Sequence, residues 1–160
     1  MKPRIYIETT VISYLAARPA RDVVSLARQE MSREFWLWAP TVYELCCSRL
    51  TRDEVSKGDS AAASRRLIFA DQCTTLPEDL LVADLAKRLI DTKAVPATEP
   101  EDAAHIAIAT LAQMKYIVSW NFSHMVSPEA KRQLEKAIVK LGFEAPLLGT
   151  PEEIFEAEAL

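Results

Sequence analysis

Short apolar runs alternate along the chain with longer segments whose apolar residues recur every three or four positions. Ile5-Tyr6-Ile7 is β-branched and aromatic and stops abruptly at Glu8-Thr9-Thr10. That pattern predicts a buried strand feeding a Thr-capped helix that runs to about Ala17. A longer helix is expected from Asp22, as its cap, to Trp36, with Pro40-Thr41 breaking the pattern and Val42 to Cys47 forming a second strand. Ser48 reads as the cap of a helix carrying Leu50, Glu54 and Val55, and Asp59 or Ser60 opens the next, through Leu67 to Phe69.

Cys73 to Leu76 reads as a third strand. Leu81, Leu85 and Leu89, with Val82, Ala86 and Ile90, mark an amphipathic helix. Thr98 to Glu101 has the spacing of a capping box, and the helix it opens, through Asp102, His105 and Ala109, is apolar nearly all round and expected to lie centrally. Tyr116 to Ser119 predicts a fourth strand. Ser127-Pro128 starts a helix that Gly142 ends. Pro146 to Leu148 suggests an edge strand, and Thr150-Pro151 a short acidic helix.

Strands alternating with helices predict a parallel sheet covered on both faces. Such sheets bind ligands beyond the carboxyl ends of their strands, near the point where strand order reverses. Two polar clusters fall at predicted strand ends, Glu8-Thr9 and Ser119 to His124.

The length, 160 residues, suits one domain over 1–160. Lys and Arg total 19 against 23 Asp and Glu, a net charge of −4, so the chain does not hold nucleic acid by bulk positive charge. Three cysteines, two of them adjacent, make no disulfide framework and point to a reducing cytoplasm. The first residues do not read as a signal peptide, because Glu8 and Arg18 interrupt the apolar stretch. No apolar run is long enough for a membrane span. Glycine-rich phosphate loops, a GxSxG elbow and HExxH are all missing from the sequence, and two histidines cannot build a His-rich metal site. Carboxylate chemistry remains, and oxygen ligands suit Mg²⁺ or Mn²⁺.

Tyr6-Ile7-Glu8-Thr9-Thr10-Val11-Ile12-Ser13-Tyr14-Leu15 is similar to the opening of PIN-domain proteins, in which a strand ends in an acid followed by Thr and an apolar helix. Glu101-Asp102-Ala103-Ala104-His105-Ile106-Ala107 resembles their third acidic motif. Val118-Ser119-Trp120-Asn121-Phe122-Ser123-His124 sits where the family has a strand end with Thr-Asn-Asp. The resemblance implies a three-layer α/β/α sandwich with a central, mainly parallel sheet of four to five strands. It also implies a Mg²⁺- or Mn²⁺-dependent endoribonuclease. Small stand-alone members are VapC-like toxins, paired with an antitoxin protein and commonly homodimeric.

Carried over residue by residue, the resemblance places Glu8 first, Glu54 second, Asp102 third and Asn121 fourth as metal-binding and catalytic positions. Glu44 and Asp53 are rivals for the second. Thr9, Ser119 and His124 would support the site. Two positions depart from the family pattern: Glu8 stands where Asp is usual, and Asn121 is neutral. A catalytically weakened PIN-like module that binds nucleic acid or protein is therefore the alternative. A receiver- or phosphatase-like pocket would need an Asp nucleophile after a strand, where this chain has Glu8.

Three carboxylates gathered without a cation should repel one another and raise at least one pKa. Two basic sets offer phosphate contacts: Arg49, Arg52, Lys57, Arg65 and Arg66 in mid-chain, and Lys131, Arg132, Lys136 and Lys140 on one helix. Trp36 and Trp38 read as core, His105 as a hydrogen-bonded core histidine, and Trp120 as core with some prospect of stacking on a base.

Overall fold

Three apolar triplets, Ile5-Tyr6-Ile7, Leu45-Cys46-Cys47 and Tyr116-Ile117-Val118, send alternate side chains to opposite faces of one sheet. In a computed structural model, which describes residues 1–159, they form β1 (Arg4–Ile7), β2 (Glu44–Cys47) and β4 (Tyr116–Val118). The edges are β3 (Thr74–Thr75) and β5 (Leu147–Gly149). All four pairings are parallel, in the order β3-β2-β1-β4-β5. Parallel strands need both faces covered, and the helices cover them: α1 (Thr9–Ala16), α2 (Val23–Val42), α4 (Ser60–Ala70) and α8 (Pro151–Ala159) on one face, α5 (Val82–Asp91), α6 (Pro100–Leu111) and α7 (Pro128–Lys140) on the other. The short α3 (Arg49–Val55) follows β2 directly. The architecture is the expected three-layer α/β/α sandwich.

Each face has its own core. Ile5, Ile7, Leu45, Cys47 and Val118 pack with Val11, Ile12, Phe35 and Trp36. Tyr6, Cys46 and Ile117 pack with Leu85, Leu89, Ile106 and Leu134. Truncating one of these aliphatic side chains to Ala costs about 2–5 kcal/mol in comparable cores. The three cysteines are free and buried, with Cys46 and Cys47 on opposite faces. No helix among the described residues is long and apolar enough to cross a membrane.

Several local expectations need correction. The cap of α1 is Glu8, not a Thr: its carboxylate accepts from the Thr10 N–H. Helix α2 runs on through Pro40 to Val42. A proline in the last turn removes one backbone bond and leaves the packing of Phe35, Trp36 and Ala39 intact. The capping box at Thr98 does not form. Pro100 occupies the first helical position and holds Glu99 outside the helical region, at φ −124° and ψ 60°, so the helix starts one residue later with no side-chain cap. The third strand keeps only Thr74 and Thr75. Asn121 opens an unforeseen π-helical turn over Phe122–Val126. Asp22, Ser48, Asp59 and Ser127 cap their helices as the pattern predicts, and Gly142, at φ 94°, follows α7.

Candidate functional site

Strand order reverses between β1 and β4, so their carboxyl ends flank the crevice where open parallel sheets bind ligands. Glu8 follows β1 there, and Ser119 follows β4. Glu8 is 4% exposed, and the three hydrogen bonds it accepts converge on Oε2. The donors are the Thr10 N–H at 3.0 Å, the Thr10 hydroxyl, and Ser119 Oγ at 2.8 Å. Each hydroxyl also accepts: Thr10 Oγ1 from the Trp120 N–H at 2.8 Å, Ser119 Oγ from the Asn121 N–H at 2.9 Å. The carboxylate thus ties the start of α1 to the turn after β4. Burial pushes the Glu8 pKa up, against the opposing pull of His105 and of these hydrogen bonds.

On the other side of β1, Thr9 Oγ1 donates to Glu54 Oε1 at 2.8 Å. His105 Nε2 closes on the same oxygen. Burial acts to raise the Glu54 pKa, but the His105 contact and charge and the Thr9 hydroxyl outweigh it, and the net shift is downward. Beneath lies a buried polar box. The Tyr6 hydroxyl is 2.6 Å from His105 Nδ1, 2.7 Å from Ser48 Oγ and 3.2 Å from Thr51 Oγ1. His105 is therefore the hydrogen-bonded core histidine expected from the sequence. The rivals of Glu54 point elsewhere. Glu44 accepts from Thr74 Oγ1 at 3.0 Å, and Asp53 lies 3.7 Å from Arg49 Nε on the surface.

Asp102 occupies the first turn of α6, where the helix dipole favours an anion. Its ligand atom, with those of Glu99 and His124, forms a group in which all lie within 4.8 Å of one another. Glu8 and Glu54 are outside that group. Burial raises the Asp102 pKa and the charge of Glu99 adds to it, whereas the neighbouring Asn121 amide, His124 and His105 pull it down. Raised carboxyl pKa values were expected from mutual repulsion. For Glu8 and Asp102 the main cause is desolvation instead. Asn121 also holds the π turn, accepting from the His124 N–H at 3.0 Å through Oδ1.

The four sequence-predicted positions therefore lie at one end of the sheet in two hydrogen-bonded sets, Glu8 with Thr10, Ser119 and the Asn121 backbone, and Glu54 with Thr9 and His105, with Asp102 beside Asn121. They do not form one tight four-ligand cage. Glu99 was missed, because the capping-box reading assigned that stretch to Thr98 and Glu101. The signal was there, since Glu99 stands three residues before Asp102 at the entrance to the same helix. Tyr6 and Thr10 were also passed over as part of a strand and a cap.

The basic sets are largely committed. Arg52 pairs with Asp71 at 2.6 Å. Arg65 donates to the Ala16 carbonyl, and Arg66 to those of Val55 and Lys57. Lys131 pairs with Glu153 and Arg132 with Glu129. Trp120 is 6% exposed, and its indole N–H donates to Ser32 Oγ at 2.8 Å, so it presents no face to a base.

Fold and site together define an open parallel α/β sandwich with a carboxylate-lined crevice at its topological switch point. Compared with known proteins, the chain matches no family model and no curated sequence.

Proposed function

We propose that the protein is a PIN-like endoribonuclease dependent on Mg²⁺ or Mn²⁺, acting in the cytoplasm as the toxin of a VapBC-type pair with an antitoxin protein and as a homodimer. The observation that carries this reading is the placement of Glu8, Glu54, Asp102 and Asn121 at the carboxyl end of the sheet, with Thr10 and Ser119 joining Glu8 to the Asn121 backbone, Thr9 and His105 holding Glu54, and Asn121 beside Asp102. Carboxylate oxygens suit a hard divalent cation. Asp102, with Glu99 and His124 in reach, offers a donor set of the right chemistry and spacing to hold one. Such an ion, when bound, supplies Lewis acidity and a water of lowered pKa.

The chain's own groups do the positioning. The Asn121 amide flanks Asp102, and Thr9 and His105 fix Glu54. Thr10 and Ser119 anchor Oε2 of Glu8, leaving Oε1 outside that set of bonds.

One observation favours a second reading, a catalytically weakened module that binds nucleic acid or protein. Glu8 is buried and serves as the cap of α1, a structural use that needs no ion. Cleavage of a mixed RNA pool with Mn²⁺, with Mg²⁺ and with chelator, beside Asp102→Asn, separates the two. Metal-dependent cleavage that Asp102→Asn abolishes, with its circular dichroism unchanged, supports the nuclease. Metal binding without cleavage supports the module.

A further inference from the structure

Phe122, the first residue of the π turn, is 40% exposed, directly after the buried Trp120 and the site residue Asn121. The Phe122 ring, unlike that of Trp120, is open to water beside the site residue Asn121. Arg28, from α2, lies over it: the guanidinium carbon is 4.8 Å from the Phe122 ring centroid and 5.7 Å from that of Trp120. The Tyr14 hydroxyl accepts from Arg28 Nη1 at 3.2 Å and fixes the guanidinium from behind. The Tyr14 ring in turn stands edge-on to Trp120, with centroids 6.1 Å apart. Phe122 and Arg28 are thus a pre-ordered pair, one apolar plane and one cationic plane, on a rigid base. The charge balance adds to this. The crevice is acidic, most of the mid-chain arginines are spent on carbonyls and ion pairs, and Arg28 brings a positive charge to its rim.

We propose that Phe122 and Arg28 form a shelf that stacks one unpaired nucleobase of an RNA strand whose phosphate lies at the Asp102–Asn121 side of the crevice. The inference rests on the ribonuclease reading and deepens it, because it names the residues that hold the base next to the phosphate. Aromatic and guanidinium planes are the groups that hold splayed-out bases, and they do so with little regard to base identity. One Cα step, about 3.8 Å, separates Phe122 from Asn121, so base and phosphate of one nucleotide are engaged from adjacent residues. A paired base is already stacked on both sides and cannot enter.

The test is fluorescence-anisotropy binding of a labelled unpaired oligoribonucleotide and of a duplex of the same composition, in Ca²⁺ buffer, for wild type, Phe122→Ala, Phe122→Leu and Phe122→Trp. The unpaired strand is expected to bind wild type more tightly. Phe122→Ala should weaken that binding about tenfold and leave duplex binding unchanged. Phe122→Leu, which keeps the apolar bulk but loses the aromatic face, should behave like Ala, and Phe122→Trp should restore binding. A single abasic nucleotide at the stacked position should reproduce the loss in wild type and add nothing in Phe122→Ala. Equal binding by wild type and Phe122→Ala, an equal loss on both substrates, or no RNA binding at all overturns the shelf. The nuclease reading is decided separately, by metal-dependent cleavage and its loss in Asp102→Asn.

Discussion

The Tyr6 hydroxyl sits 2.6 Å from His105 Nδ1, and the other ring nitrogen, Nε2, meets Glu54 Oε1. Burial holds Tyr6 well above the usual phenol pKa, so it stays protonated. The chain Tyr6, His105, Glu54, Thr9 runs from the central strand to the crevice.

Removing the phenol hydroxyl should be costly. Tyr6→Phe leaves the buried Nδ1 without its partner and is expected to lower stability by about 1–3 kcal/mol. Urea unfolding measures the loss, and the nitrogen shifts of His105 report whether the tautomer changes. A Tyr6→Phe protein as stable as wild type, with unaltered His105 shifts, would show that the phenol orders nothing.

Glu8 predicts a pH dependence. Its folded pKa is raised, first by burial, so its contribution to stability is full below the unfolded value, about 4.3, and is lost as pH rises through the folded value. Glu8→Gln removes that loss. In chelator, the deficit of Glu8→Gln relative to wild type should shrink between pH 4 and pH 7, read from urea midpoints. A deficit that grows over this range would contradict the assignment.

The far end of the sheet gives an independent check. Tyr43 and Tyr116 are each pushed up to about 12, first by burial and then by Glu158, whose carboxylate accepts from the Tyr116 hydroxyl. Ultraviolet titration of the native protein should show both phenols ionising near pH 12. In Glu158→Gln the midpoints should fall, because a negative neighbour has been removed. Midpoints that stay put would assign the whole shift to burial.

Metal linkage is the fourth expectation. An ion that binds only the folded chain stabilises it by about 2.7 kcal/mol at a hundred times its Kd, about 5–10 °C in Tm at this size. Millimolar Mn²⁺ should raise the Tm of wild type and raise that of Asp102→Asn and His124→Ala less. Identical shifts in all three would place the ion away from α6.

Much of this was legible in the sequence because it is local. Ile5-Tyr6-Ile7 followed by polar residues marks a strand end, and Asp22, Ser48 and Ser127 mark helix starts by their own chemistry. The strand-end positions of Glu8 and Asn121 predicted a shared crevice, since parallel strands deliver their ends to one side. The misses are tertiary or turn-level. Pro100 competed with Thr98 for the helix start and won by fixing the backbone of Glu99. A five-residue π turn leaves no periodicity to read. Nothing in the order of residues says that Arg65 and Arg66 are spent on helix-end carbonyls, or that the Trp120 indole reaches Ser32 on α2 and leaves Phe122 as the exposed ring.

The two outer strands are two and three residues long. Such stubs offer almost no run of free amides and carbonyls to a neighbouring chain, so the sheet is protected against growth by strand addition. A second copy therefore gains little by pairing a strand against β3 or β5, and lengthening either edge by substitution would open a route to strand addition that the native chain closes.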